Sequence, residues 1–219
     1  MSVRGAMFAA RGKRVAEAKR PLRGPLRKSS SKRWSRHPDD WYVEPPWVTE
    51  QLFLHEIFEG CVVDPACGLG HIVTAARLAG LTACGTDIKR RAAGFGIADF
   101  FQVARSAPNI VSNPPFRFAM AFTGHALNLA ERKVALLMPA SWVQAEGRSR
   151  WLSQTPLRRI WLLTPRPSMP PGPAFVSGEG PRGNGTTDYA WLVWERGYTG
   201  APEIGWLRRN TGTASPVAG

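Results

Sequence analysis

From residue 39 onward, apolar side chains fall into short continuous runs that alternate with stretches of helical spacing. Over 48–58 the apolar positions Val48, Leu52, Phe53, Leu54, Ile57 and Phe58 line one side of a 3.6-residue repeat, which predicts a short amphipathic helix. Cys61-Val62-Val63 predicts a buried strand running into Asp64, and a helix follows from His71 to about Ala79, where Gly80 stops it. Residues 82–86 predict a strand ending in Asp87, and 109–112 another ending in Asn113. A helix is expected over about 118–130, then strands at 134–138, closed by Pro139, at 160–163 and at 189–194. Only about a dozen residues separate Asp87 from Asp99, so any strand between them must be short or degenerate.

Strands alternating with helices predict an α/β fold with a mainly parallel sheet. The last two strands are joined by the Pro- and Gly-rich stretch 165–187 with no crossover helix, so they are expected to pair antiparallel. The preceding parallel strand then finishes on the side where ligands bind, and 165–187, with Arg166, Phe175 and Arg182, is expected either to hang over the cleft or to form a loose connection. The expected organisation is a basic tail over 1–37, one domain over 38–205 and a frayed tail over 206–219.

Charge changes this picture in one place. The net charge is +13, but twelve of the 29 basic residues lie in 1–36 beside a single acid, Glu17, so the body is nearly neutral. Such a segment buries too little surface to offset its ordering entropy. It reads as an arm that neutralises phosphates, as a solvated extension or over-long start, or, in its Arg- and Ser-rich composition, as a transit-peptide-like leader. No apolar run approaches the roughly 20 residues of a membrane span, so no membrane partner is expected. Three irregularly placed cysteines fit a reducing compartment, and without CxxC or clustered histidines no metal site is expected.

Two motifs carry chemistry. Asp64-Pro65-Ala66-Cys67-Gly68-Leu69-Gly70 is a strand end followed by a Gly-rich turn and a helix start, an arrangement that brings backbone N–H groups close to a ligand. Val73 stands where a dinucleotide fingerprint has its third glycine. Asp87, 23 residues on, sits where a carboxylate either accepts both hydroxyls of a ribose or caps the following turn. In Asn113-Pro114-Pro115-Phe116, two prolines at a buried strand end form a rigid turn with outward carbonyls. The Asn113 side-chain oxygen and the Pro114 carbonyl can each accept one hydrogen of a planar base's amine, which localises its lone pair, while Phe116 stacks on the base. Cys67 and Cys84 read as packing residues, and Trp161, Trp191 and Trp194 as strand residues of the core.

These two motifs together resemble the class I S-adenosylmethionine-dependent methyltransferases of the N6-adenine DNA type, over roughly 41–195. The resemblance implies a Rossmann-like, doubly wound sheet with an antiparallel last strand, S-adenosyl-L-methionine as cofactor, and DNA as partner. It implies catalytic roles for Asn113, Pro114, Pro115 and Phe116, and cofactor contacts from Tyr42, Pro45, Trp47, Asp64, Pro65, Ala66, Cys67, Gly68, Gly70, Asp87, Ile88, Asp99, Phe100 and Asn113. Phe116, Trp142 and Phe175 are the expected substrate contacts. Glu44 departs from the pattern, standing where relatives carry a small hydroxyl or polar residue. There is no room for a target-recognition domain of ordinary size, so relaxed sequence specificity is expected, in a cytoplasmic, nucleoid-associated enzyme of a bacterium or its phage. The same motif also occurs in enzymes that methylate RNA bases, cytosine amines or a protein glutamine, and a non-catalytic nucleic-acid-binding relative is a further alternative.

Overall fold

The structure is a computed structural model that describes residues 37–179 and 184–210. The basic tail apart from His37, Arg182 in the 165–187 stretch, and residues 211–219 lie outside the described residues.

Helix α1 (Pro46–His55) opens with Pro46 in its first turn, where the missing N–H costs nothing. It is followed by β1 (Val62–Asp64), α2 (His71–Leu78), β2 (Ala83–Asp87), β3 (Gly96–Ile97) and β4 (Ala107–Ser112). Then come α3 (Ala119–Leu129), β5 (Ala130–Pro139), α4 (Glu146–Leu152), β6 (Leu157–Thr164), α5 (Gly172–Val176), β7 (Tyr189–Glu195) and β8 (Glu203–Arg208). The eight strands form one sheet in the order β3-β2-β1-β4-β5-β7-β6-β8. Strands β1 to β5 pair in parallel. β7 runs antiparallel between β5 and β6, so the expected antiparallel pairing is present and the pair is inverted in the sheet order. β3, the short strand expected before Asp99, has two residues.

Alternating residues of β5 explain why the sheet carries helices on both faces. Ala135 and Leu137 enter a core with Val48 and Leu52 of α1 and Ile72 and Val73 of α2. Leu136 and Met138 enter a second core with Phe122 and Ala126 of α3 and Leu152 of α4. A strand buried on both faces reads as a continuous apolar run, as 134–138 does. Trp191 and Trp194 of β7 are fully buried on opposite faces, their indole N–H groups donating to the Val48 carbonyl and the Thr155 hydroxyl, each at 2.9 Å.

Two sequence expectations are corrected. α1 stops at His55 and not at 58, because Glu56 turns extended and its side chain is drawn under the sheet by Lys133, Arg159 and Trp161. Leu54 and Ile57, expected on the apolar face, are exposed. The sheet also runs past residue 205: β8 extends to Arg208, with Leu207 buried beside α1's core and Trp161 lying over Gly205.

Candidate active site

The strand order reverses between β1 and β4, and at this switch point the chain leaves both strands toward the same side, where open α/β sheets bind ligands. A cavity of about 430 Å³ lies there. Its lining includes Asp64 and the turn Pro65, Ala66, Cys67 and Gly68 after β1, Asp87 and Ile88 after β2, Asp99 and Phe100 after β3, and Asn113 and Pro115 after β4. Tyr42 and Glu44 close it from a strap over 39–44.

The turn after β1 is fixed by its neighbour strand. Gly68 N–H donates to Asp87 Oδ2 at 3.0 Å and Cys67 N–H to the Thr86 carbonyl at 2.9 Å. Gly68 and Gly70 both have positive φ, +52° and +82°, which a side chain would strain. Gly70 lies outside the lining: the ring of Phe95 occupies the place where its Cβ would stand, so its bareness serves packing. Asp87 also caps its own turn, accepting from Lys89 N–H at 3.0 Å, while it lines the cavity.

Six acidic side chains line this one space: Asp39, Asp40, Glu44, Asp64, Asp87 and Asp99. Asp64 Oδ1 accepts from the Ser112 hydroxyl at 2.7 Å and from Ala66 N–H at 3.1 Å. Burial nonetheless pushes its carboxyl up to about 8, against those two hydrogen bonds and aided by the charges of Glu44 and Asp87. Burial also raises Glu44 above the usual carboxylate range, with the Asn113 amide and His71 pulling the other way. The Cys67 thiol is pushed up to about 12 by burial and by Asp64 and Asp87, which suits a packing residue and not a nucleophile.

Of the strap, Tyr42 and Glu44 were marked in the sequence but Asp39, Asp40 and Trp41 were not, yet these tie the surrounding loops together. Asp39 accepts from Lys89 and Arg91, whose hydrogen bonds hold its carboxyl down to about 2. Arg91 lies 4.1 Å over the Trp41 ring. Asp40 Oδ2 accepts from Arg117 N–H at 2.9 Å. The Trp41 carbonyl accepts from Gly172 N–H and the Pro170 carbonyl from Val43 N–H, so the start of the 165–187 stretch pairs with the strap. Asn113 Nδ2 donates to the Tyr42 carbonyl at 3.0 Å and to Glu44 Oε2 at 2.8 Å. Acidic and aromatic residues in an otherwise irregular segment, Asp39-Asp40-Trp41-Tyr42, were the available signal.

Phe116 stands beside the cavity and not in its lining. Its ring is near-parallel to Tyr42, with centroids 6.3 Å apart, and 6.0 Å from Tyr189 at the start of β7. Tyr189, held up to about 12 by burial, also lines a second, more open cavity of about 720 Å³ with Ser141, Thr187 and Trp206. Pro114 is buried in its turn. Pro45 and Trp47 lie outside the first cavity, Trp47 against the α1 core. Trp142 is buried in the core of α3 and α4, with Arg148 over its ring. Phe175 meets His71 edge-on at 5.4 Å, outside both linings. Among the described residues no group of three or more His, Cys, Asp or Glu could hold a metal ion, and no helix is long and apolar enough to cross a membrane.

No protein-family model and no curated protein sequence match the chain. Solved structures do. A candidate RNA methyltransferase, PH1948, from Pyrococcus horikoshii superposes with a TM-score of 0.54 at 14% identity, over 73% of this chain and 90% of its own. The modification subunit of a candidate type I restriction enzyme from Vibrio vulnificus YJ016 gives 0.52 at 14% identity, over 78% of this chain and 48% of its own. The M protein of the type I restriction enzyme EcoKI gives 0.51 at 12% identity, over 78% of this chain and 49% of its own. The chain spans about half the length of these two modification subunits. Its eight-stranded mixed sheet, mostly parallel with an antiparallel strand pair, is the Rossmann-like fold of the methyltransferases.

Proposed function

We propose that the chain is a DNA adenine-N6 methyltransferase of relaxed sequence specificity that uses S-adenosyl-L-methionine. The observation that carries this reading is that Asp64, Asp87 and Asn113 line one cavity at the switch point, with the Asn113 amide nitrogen bonded to Tyr42 and Glu44 of the strap. Likeness to two type I modification subunits, a class that methylates DNA adenine at N6, supports the choice of acceptor.

The donor set fits this cofactor. Glu44 and Asp87 both work against a charge on Asp64, and a sulfonium with an α-ammonium relieves that repulsion, whereas a dinucleotide pyrophosphate would increase it. Asp87 and the Gly68 turn would hold the adenosine, and the buried carboxylate of Asp64 the cationic end. When bound, the cofactor supplies an electrophilic methyl carbon on sulfur. The chain's part is orientation. Asn113 Oδ1 and the Pro114 carbonyl would accept the two amine hydrogens and aim the nitrogen lone pair at the methyl carbon; as the N–C bond forms and the C–S bond breaks, the surplus proton on the methylated nitrogen passes to solvent. Phe116, beside the cavity and near Tyr42 and Tyr189, would take part in stacking on the base.

A second reading, transfer to a base amine in RNA, is favoured by the candidate RNA methyltransferase, which this chain matches over nearly that protein's whole length. Incubating the full chain with tritiated cofactor and DNA, RNA or protein, followed by nucleoside and amino-acid analysis, separates the readings. Label in N6-methyldeoxyadenosine is the expected result; label confined to RNA nucleosides supports the second reading, and no label in any acceptor overturns both.

A further inference from the structure

The side chain at the sequence's clearest departure from its resemblance, Glu44, touches the residue that would hold the acceptor. Asn113 carries two amide hydrogens and one carbonyl oxygen, and which end faces the cavity decides what it can bind. Its nitrogen lies 3.0 Å from the Tyr42 carbonyl and 2.8 Å from Glu44 Oε2. A backbone carbonyl only accepts, and so does an ionised carboxylate. Turning the amide over would set oxygen against oxygen at both contacts.

Resting on the methyltransferase reading above, we infer that Glu44 is a positioning residue for Asn113, which with the Tyr42 carbonyl holds both amide hydrogens and leaves Oδ1 as the end open to the acceptor. Both amide hydrogens are committed to the strap, so Asn113 presents Oδ1 alone. An unprotonated ring nitrogen or a keto oxygen would meet that oxygen as acceptor against acceptor, while an exocyclic amine donates to it.

Glu44 contributes more than geometry. A negative charge on the amide nitrogen's side polarises the group and makes Oδ1 a stronger acceptor. Pro45 and Pro46 follow Glu44 and fix the backbone from which it reaches, Pro45 being extended at φ −69° and ψ 147°. Other charged or titratable groups face Glu44 from two elements: His71 of α2, whose Nδ1 lies 3.4 Å from the Glu44 carbonyl, and Asp64 at the end of β1. Burial keeps the carboxyl raised, so the polarising charge fades as pH falls through that raised value.

The test uses the full chain with Glu44→Gln and Glu44→Ala, reading turnover, cofactor affinity and the ¹⁵N–¹H signals of the Asn113 side chain. Glu44→Gln keeps an acceptor for the amide but not the charge: lower kcat, little change in KM or cofactor affinity, and loss of the acidic limb of the wild-type kcat profile that Glu44 contributes are expected. In Glu44→Ala the amide is held on one side only, and kcat is expected to fall about 10²-fold, the cost of a misoriented group. The Asn113 amide signals should move in Glu44→Ala and stay near their place in Glu44→Gln. Unmoved signals in a folded Glu44→Ala overturn the contact whether or not the protein turns over. Wild-type kcat and pH profile in both variants overturn its role. Absence of methyl transfer by the unaltered chain to any acceptor would count against the proposed function, and the amide signals would still decide whether Glu44 orients Asn113.

Discussion

The Ser112 hydroxyl donates to Asp64 Oδ1 at 2.7 Å, so the residue before Asn113 is bonded to the buried acid that opens the glycine turn. Asp64 keeps its proton in the folded protein up to about 8, whereas a free aspartate loses it near 3.8. Folding therefore takes up a proton between these values, and the stability of the protein without cofactor is expected to fall as pH rises from about 4 to about 8. A cationic ligand favours the ionised form, so its binding should release a proton, and its affinity should climb with pH and level off above about 8. Calorimetric titration in buffers of different ionisation enthalpy measures both. Ser112→Ala removes a bond that favours the charged form and should shift the rise to higher pH; an affinity flat across this range would remove Asp64 from the cofactor's surroundings.

Replacing Asn113 by alanine separates the acceptor role from the cofactor site. The substitution deletes Oδ1 and also frees the Tyr42 carbonyl and the Glu44 carboxylate. Methyl transfer should be lost, while the strap stays held by Asp39 to Lys89 and Arg91 and by Asp40 to Arg117 N–H. Cofactor affinity is accordingly expected to remain largely intact. Parallel loss of transfer and binding would mean that Asn113 serves the cofactor and not the acceptor.

How much of this could be read in the chain depends on which contacts are local. Asp64, Asp87 and Asn113 each end a strand, and in a parallel sheet strand ends gather on one side, so their shared cavity follows from periodicity and order alone. Pro139 also ends a strand but lies outside the first cavity's lining, and its turn borders the second cavity through Ala140. The pairing of Glu44 with Asn113 spans 69 residues and depends on how an irregular strap crosses the sheet, which no repeat in the sequence encodes. Gly70 looked like a ligand glycine because a Gly-x-Gly turn and a positive φ share one sequence signal; only the packing of Phe95 separates them. β8 was missed because its apolar residues Ile204 and Trp206 point to solvent, leaving Leu207 alone to mark the buried face.

Trp41 covers the cavity from the strap, and Gly172 makes room for it. A Cβ at 172 would run into the indole ring, over which Arg91 lies at 4.1 Å. Overpacking of this kind costs about 1–3 kcal/mol. Trp41 belongs to a strap and not to a core, so Gly172→Ala should be relieved by lifting the strap, weakening cofactor binding by about tenfold, equivalent to about 1.4 kcal/mol. Gly124 in α3 is the matched control: nothing stands near its missing Cβ, so Gly124→Ala should leave cofactor affinity unchanged and raise stability by about 0.5–1 kcal/mol. Equal cofactor affinities in the two variants would show that Trp41 does not bear on the site.

Glu56 joins the opposite end of the sheet. Its side chain is fully buried, with Oε1 accepting from Arg159 and from the Trp161 indole and Oε2 from Lys133, so α1, β5 and β6 meet on one carboxylate. Burial works against its charge, but these three donors outweigh burial and lower its carboxyl below the usual value. A depressed acid stabilises the fold above its unfolded value and loses that contribution as pH falls through the folded one, so this network should weaken only in acid. Glu56→Gln would leave Lys133 and Arg159 beside a neutral amide, and breaking a buried pair in this way costs about 3–5 kcal/mol. Glu195 near Lys133 and Glu203 on Arg159 take up part of the exposed charge, which puts the expectation at the lower end of that range. Chemical denaturation of the variant should show this loss with cofactor affinity unchanged, because Lys133 and Arg159 lie toward the strand ends remote from Asp64 and Asn113. A stability loss below about 1 kcal/mol, the scale of an exposed pair, would mean that water reaches this carboxylate.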